Sequence, residues 1–173
     1  MKATAEAVLP YSIETVFSCV SDITRMPYWV SNFSAPRWVP RGDYTKSPTF
    51  MGKYKFNGRY YELAIAVQAL YPPNRLVLHS DTAPFAFTSQ LDLSSEAGCT
   101  RIRYSLIAGS ENAVIKLFIL IFGRVAGRML RKQLEADLQV LSDLLGRDSH
   151  LPLRQDSLLL AGERFLNQRW AIN

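Results

Sequence analysis

Five polar side chains fall where alternation along β-rich runs turns them inward: Tyr54, Arg59, Tyr61, Ser89 and Tyr104. A phenol can donate a hydrogen bond or act as an acid, and a guanidinium can hold a carboxylate or an enolate oxygen. Ser89 opposite Tyr104 would orient a ligand carbonyl. These hydroxyls can also satisfy one another or line a cavity mouth, and an inward arginine near a hairpin end often returns its charge to water. Taken singly, each residue fits that plainer role better. Arg59 and Tyr104 are the candidates for catalysis, and neither is assigned outright.

Other chemistries lack their residues. The sequence has no glycine-rich phosphate loop, and its two histidines, His79 and His150, supply no Ser/His/Asp arrangement. His79 is expected to point outward. No His/Cys/Asp group has metal-ligand spacing, so neither metal nor cofactor is expected. The inward faces carry no carboxylate couple for acid–base work.

Two hairpins would position the polar set. Asn57-Gly58 lies between two β-rich runs, and a tight two-residue turn needs positive φ at both places. With those residues in the turn, Phe56 faces Arg59, Tyr54 faces Tyr61, Lys53 faces Glu62, Gly52 faces Leu63 and Phe50 faces Ile65. One face then carries Phe50, Tyr54, Phe56, Arg59, Tyr61, Leu63, Ile65 and Val67. The other carries Lys53, Lys55, Glu62, Ala64, Ala66 and Gln68, with Lys53 and Glu62 a cross-strand charge pair. After Tyr71-Pro72-Pro73-Asn74 a strand runs from Arg75 to about Ser80. A second hairpin joins 85–93 to 99–108 across Ser95-Glu96-Ala97-Gly98. Pairing Ser94 with Cys99 sets Asp92 against Arg101 and Gln90 against Arg103. Phe85, Phe87, Ser89, Leu91, Ile102, Tyr104 and Leu106 then turn inward.

Helices flank these strands. Residues 3–9 read as a first strand ended by Pro10. Ser12 caps a helix to about residue 20 with Ile13, Val16, Phe17 and Val20 at helical spacing. Asp22 caps a second short helix that carries Met26 and Trp29. From Glu111 to Leu145 the pattern is helical. Phe118, Phe122, Val125 and Met129 form one stripe, Arg124, Arg128, Arg131 and Glu135 a solvated one, and Leu130 to Leu145 the apolar side of the second half.

This order resembles the helix-grip fold. Val16-Phe17 with Val20-Ser21-Asp22-Ile23-Thr24-Arg25-Met26-Pro27-Tyr28-Trp29 is similar to the start of the START-like (SRPBCC) superfamily, in its polyketide cyclase/dehydrase and lipid transport branch. Val67 with Pro72-Pro73-Asn74-Arg75-Leu76, the run from Gly98 to Tyr104, and the closing helix with Gly123-Arg124 and Leu134 to Leu138 extend the likeness. It covers about residues 3–145. The resemblance implies an α+β domain over residues 1–146. A curved antiparallel sheet of six to seven strands wraps a long C-terminal helix, with two short helices after the first strand. Residues 147–173 form an extension, either a short helix or a mobile tail.

The resemblance also implies a deep cavity used to carry lipids, polyketides, quinones or similar molecules. Its walls would be Phe50, Tyr54, Tyr61, Leu63 and Ile65 from one hairpin and Phe87, Ser89, Tyr104 and Leu106 from the other. Phe118, Phe122, Val125 and Met129 would form the lid, with Trp29 near one end. The expected function is a carrier or sensor of a hydrophobic small molecule rather than an enzyme. The alternatives are a polyketide cyclase or aromatase, and a membrane- or partner-binding module using the apolar part of the long helix.

Composition sets the remaining expectations. Among 173 residues, 48% are hydrophobic and 12% aromatic, which is enough for one packed core. The N-terminal residues lack the apolar region of a signal peptide, and Cys19 and Cys99 show no disulfide spacing, so a reduced cytoplasmic chain is expected. The net charge of +5 is scattered, so no nucleic-acid partner is expected. The partners are instead a hydrophobic ligand and a transient membrane contact, for a monomer or homodimer.

Overall fold

The computed structural model describes residues 1–40, 47–56, 58–82, 86–109 and 113–148, with backbone only for 109 and 113–124. Phe85, Phe118, Phe122, His150 and the extension beyond Asp148 therefore lie outside the described side chains. Strand β1 spans Lys2–Leu9, helix α1 Ile13–Ser21, and a 3-10 turn Met26–Tyr28. Strands β2 (Phe33–Trp38), β3 (Thr49–Phe56), β4 (Arg59–Tyr71), β5 (Arg75–Ser80), β6 (Ala86–Glu96) and β7 (Cys99–Gly109) follow, and helix α2 runs Ala113–Asp148. One seven-stranded antiparallel sheet results, in the order β1-β7-β6-β5-β4-β3-β2. The helix-grip expectation holds: the concave face carries the core, and one long helix closes it.

The first hairpin has the expected register, with Phe56 opposite Arg59, Tyr54 opposite Tyr61 and Phe50 opposite Ile65. The second is displaced by two residues. Glu96 pairs with Cys99 across Ala97-Gly98, whose φ values of 47° and 84° make a two-residue turn with both central residues left-handed. Asp92 therefore meets Arg103 and Ser89 meets Leu106. A slip of two leaves every side chain on its expected face, because a strand repeats every second residue. The outer face is charged as read: Arg75 pairs with Asp92 at 2.6 Å, and Arg103 with Glu6 at 2.7 Å.

Ser12 does cap α1, its hydroxyl accepting from the Thr15 backbone N–H at 3.2 Å. The second short helix is a single 3-10 turn. Strand β2 lacks a sequence signature because Pro36 interrupts it and its register shifts between Ser34 and Arg37, with Ala35 at φ 50°. It survives as an edge strand, where a missing N–H is tolerated.

Helix α2 lies over the β1 side of the sheet. There the inward residues are Ala3, Ala5 and Ala7, small enough for a helix to approach closely. Leu134, Leu138, Leu141 and Leu145 are buried at helical spacing, and Arg25 forms an ion pair with Asp148 at the helix end.

Gly52 sits on the concave face opposite Leu63, and its bare Cα makes room for a neighbour. A Cβ there would overlap the Phe33 ring at Cε2 and Cζ. Gly52→Ala should therefore lower stability by about 1–3 kcal/mol, read as a reduced urea midpoint. Adding Phe33→Leu should recover part of the loss. An unchanged midpoint in the single variant would show that the Phe33 ring swings aside freely.

Candidate functional site

The concave wall grades from sealed to open. Leu63, Ile65, Val67, Leu76, Leu78, Leu91, Leu93 and Ile102 are buried. Towards the Gly58 turn, Tyr54, Tyr61, Phe87 and Leu106 are half-buried, and Phe56 and Arg59 are exposed. Alternation explains the apolar lining; the gradient arises because α1 and the leucine-rich half of α2 cover only one end.

Beneath α2 this wall becomes polar. Tyr104 and Ser89 stand there as diagonal rather than directly opposed neighbours on β7 and β6. The Trp29 ring meets Tyr104 edge-on, with centroids 6.0 Å apart and planes at 65°. Trp29 is 3% exposed, and its indole Nε1 has no hydrogen-bond acceptor among the described residues. Across from them Asp137, also 3% exposed, projects from α2. Its Oδ1 accepts from Ser31 Oγ at 2.5 Å, Ser31 N at 3.2 Å and Gln133 Nε2 at 3.0 Å.

The fold is shared with solved structures. TTHA0849 from Thermus thermophilus matches with a TM-score of 0.69 and 14% identity, over 86% of this chain and 99% of that one. A conserved protein from Geobacillus kaustophilus matches at 0.65 and 14%, over 85% and 96%. The protein of unknown function SA2116 from Staphylococcus aureus matches at 0.66 and 9%, over 87% and 96%. No family model matches the chain, and no curated protein does. At such identities the likeness establishes architecture alone.

Within this helix-grip domain the charges of the cluster follow from burial. Desolvation pushes the Tyr104 phenol far up, and the nearby Asp137 adds to the shift against the Ser89 hydrogen bond. Tyr54 is raised by burial and then by Asp137. Both phenols therefore stay protonated at neutral pH and act as donors, not bases. Burial also raises Asp137, opposed by the hydrogen bonds from Ser31 and Gln133. Cys19, pushed up to about 11 by burial, is an unreactive core thiol.

The structure brings Trp29, Ser89, Tyr104 and Leu106 to one side of the concave wall, and Phe50, Tyr54, Tyr61, Leu63 and Ile65 to the other. It does not bring Arg59 to Tyr104. Arg59 is exposed at the start of β4, and Tyr104 lies on β7, three strand spacings or roughly 14 Å along the sheet. Val125 and Met129 do not join the wall either, being 58% and 68% exposed. At about 100° per residue, Val125 stands some 180° and Met129 some 140° around α2 from buried Leu134. The inward line passes through half-buried Leu130 instead.

Asp137 is the residue that sequence reasoning missed. Its signal was a carboxylate three residues after Leu134 and four before Leu141, hence inside the leucine stripe. His79 faces outward as expected, its Nδ1 3.1 Å from Thr88 Oγ1. Among the described residues no cluster of His, Cys, Asp and Glu fits a metal, and no helix is long and apolar enough to cross a membrane.

Proposed function

We propose that this chain holds a hydrophobic small molecule between its concave sheet and α2, as a carrier or sensor. One observation carries the reading: a small polar cluster, including the unpartnered Trp29 Nε1, is buried in an otherwise apolar wall that opens at one end. Ligand pockets combine apolar surface with a few convergent polar groups in this way. A solid core would leave no reason to bury an indole N–H without an acceptor.

Membership of the START-like (SRPBCC) superfamily, in its polyketide cyclase/dehydrase and lipid transport branch, belongs to the same proposal. The order of elements and the motifs from Val16 to Trp29 support it. Pairing of the outer-face arginines with Glu6, Asp92 and Glu96 favours a small-molecule partner over nucleic acid. Two free thiols, Cys19 and Cys99, suit a reducing cytoplasm.

Native mass spectrometry of protein purified from its own host tests the central claim. The expected spectrum carries an adduct of a few hundred daltons that organic extraction removes. Bare mass, together with no uptake of an apolar fluorescent probe, would refute it.

A further inference from the structure

The β3–β4 hairpin outruns its neighbours. Strand β5 pairs with β4 only from Ala66 onwards, and β2 follows β3 no further than Tyr54. Lys55, Phe56, Arg59 and Tyr60 therefore form a tip that no other strand flanks, and its Arg59 end lies roughly 20 Å beyond the β5 pairing. All four are exposed, Phe56 by 51% and Tyr60 by 63%. Lys55 stands opposite Tyr60 and Phe56 opposite Arg59, so each face of the ribbon carries one aromatic ring and one cation. Lys55 Nζ rests 5.6 Å from the Tyr60 ring centre. These cations differ from the arginines on the outer face elsewhere. Arg75, Arg101 and Arg103 pair with Asp92, Glu96 and Glu6. Lys55 and Arg59 form no ion pair with a described residue, and Glu62 faces Lys53 instead.

We infer that this tip docks the protein on a membrane surface that carries anionic phospholipid. Aromatic rings settle at the headgroup level of a bilayer, and each lysine or arginine near an anionic leaflet strengthens binding by roughly fivefold. A headgroup layer surrounds a projecting ribbon and can take up rings and cations from both of its faces at once. Single-stranded nucleic acid offers the same negative charge, but successive bases stack on rings that share one platform. Phe56 and Tyr60 lie on opposite faces and cannot make one. A stable protein partner would need a far larger apolar area than two rings supply. The contact does not depend on the ligand reading above. Where an apolar ligand is held, docking sets the half-buried Tyr54 and Tyr61, next along the concave face, towards the bilayer.

Co-sedimentation of the full chain with vesicles tests this. Vesicles of phosphatidylcholine containing one quarter phosphatidylglycerol should bind wild-type protein at least about tenfold more strongly than pure phosphatidylcholine. Lys55→Gln with Arg59→Gln should weaken binding to the anionic vesicles about twentyfold. Phe56→Ser keeps both charges and should weaken it about fivefold, through lost apolar contact. Arg75→Gln with Arg101→Gln removes the same net charge from paired arginines and should leave binding within about twofold of wild type. If the Lys55/Arg59 variant does not fold, Phe56→Ser against the Arg75/Arg101 control carries the test. Equal binding to the two vesicle types, or binding to neither, would overturn the inference. So would an Arg75/Arg101 variant as weak as the tip variant, because net charge and not the tip would then be responsible. Displacement of bound vesicles by a single-stranded oligonucleotide at equal phosphate concentration would assign the tip to nucleic acid instead.

Discussion

Phe50→Ala should destabilise the domain by about 3–5 kcal/mol, a large part of the roughly 5–15 kcal/mol that holds a domain together. Phe50 has 0% exposure and stands opposite Ile65 on one side and Trp38 on the other. Its ring meets Phe33 edge-on at 6.4 Å and Trp38 at 5.5 Å. Truncation removes all of these contacts, and β2 loses the anchor that compensates for its bulge and Pro36. Phe50→Leu, which keeps most of the volume, should lose far less, under about 1.5 kcal/mol if the wall repacks. Urea denaturation of the two variants makes the comparison. A loss below about 1 kcal/mol for alanine would mean that this part of the wall is not packed as described.

Asp137→Asn is expected to act in the opposite direction, and only at neutral to alkaline pH. Burial raises the carboxyl above its usual range, so the fold favours the protonated form. That contribution is fully present below the ordinary carboxylate pKa and is lost as pH rises through the raised value. Above it the folded chain bears a buried charge, whereas asparagine is neutral throughout and still accepts from Ser31 and Gln133. The variant should melt about 2–4 °C above wild type at pH 8. The gap should close near pH 4, where the unfolded carboxyl is itself roughly half protonated. Melting curves at pH 4, 6 and 8 settle the point. An equal difference at all three pH values would show that the effect is packing and not titration.

Asn57-Gly58 makes one hairpin legible to the residue, since a two-residue turn with a strong turn sequence fixes a single register. The other hairpin comes out two residues off because Ser95-Glu96-Ala97-Gly98 looks like a four-residue loop. Alanine at φ 47° is not a turn signal any propensity rule would offer. The concave wall still has the expected members, because its side chains depend on parity and not on register. Val125 and Met129 go astray for a related reason. Their stripe and the leucine stripe below it cannot both face inward on one straight helix, and in the described half of α2 it is the leucines that are buried. Asp137 has no role that the pattern alone could assign, since its neighbours Ser31 and Tyr104 come from distant parts of the chain. Sequence order does not reveal which loop a helix will cross.

The pairing of β1 with β7 dictates an order of events during synthesis. The Met1 amino group donates to the Ala108 carbonyl oxygen at 2.7 Å, across 107 positions. Of this sheet's strands, the first to be synthesised has its neighbour in the last. At about 5–20 residues per second, it waits several seconds for that neighbour. Through that interval the meander β3 to β6 can form by local contacts, with Leu63, Ile65, Leu78 and Leu91 turned to water until α2 arrives. A nascent chain of this design is a natural client for a holding chaperone, and a premature stop before Leu134 would leave a sticky half-shell.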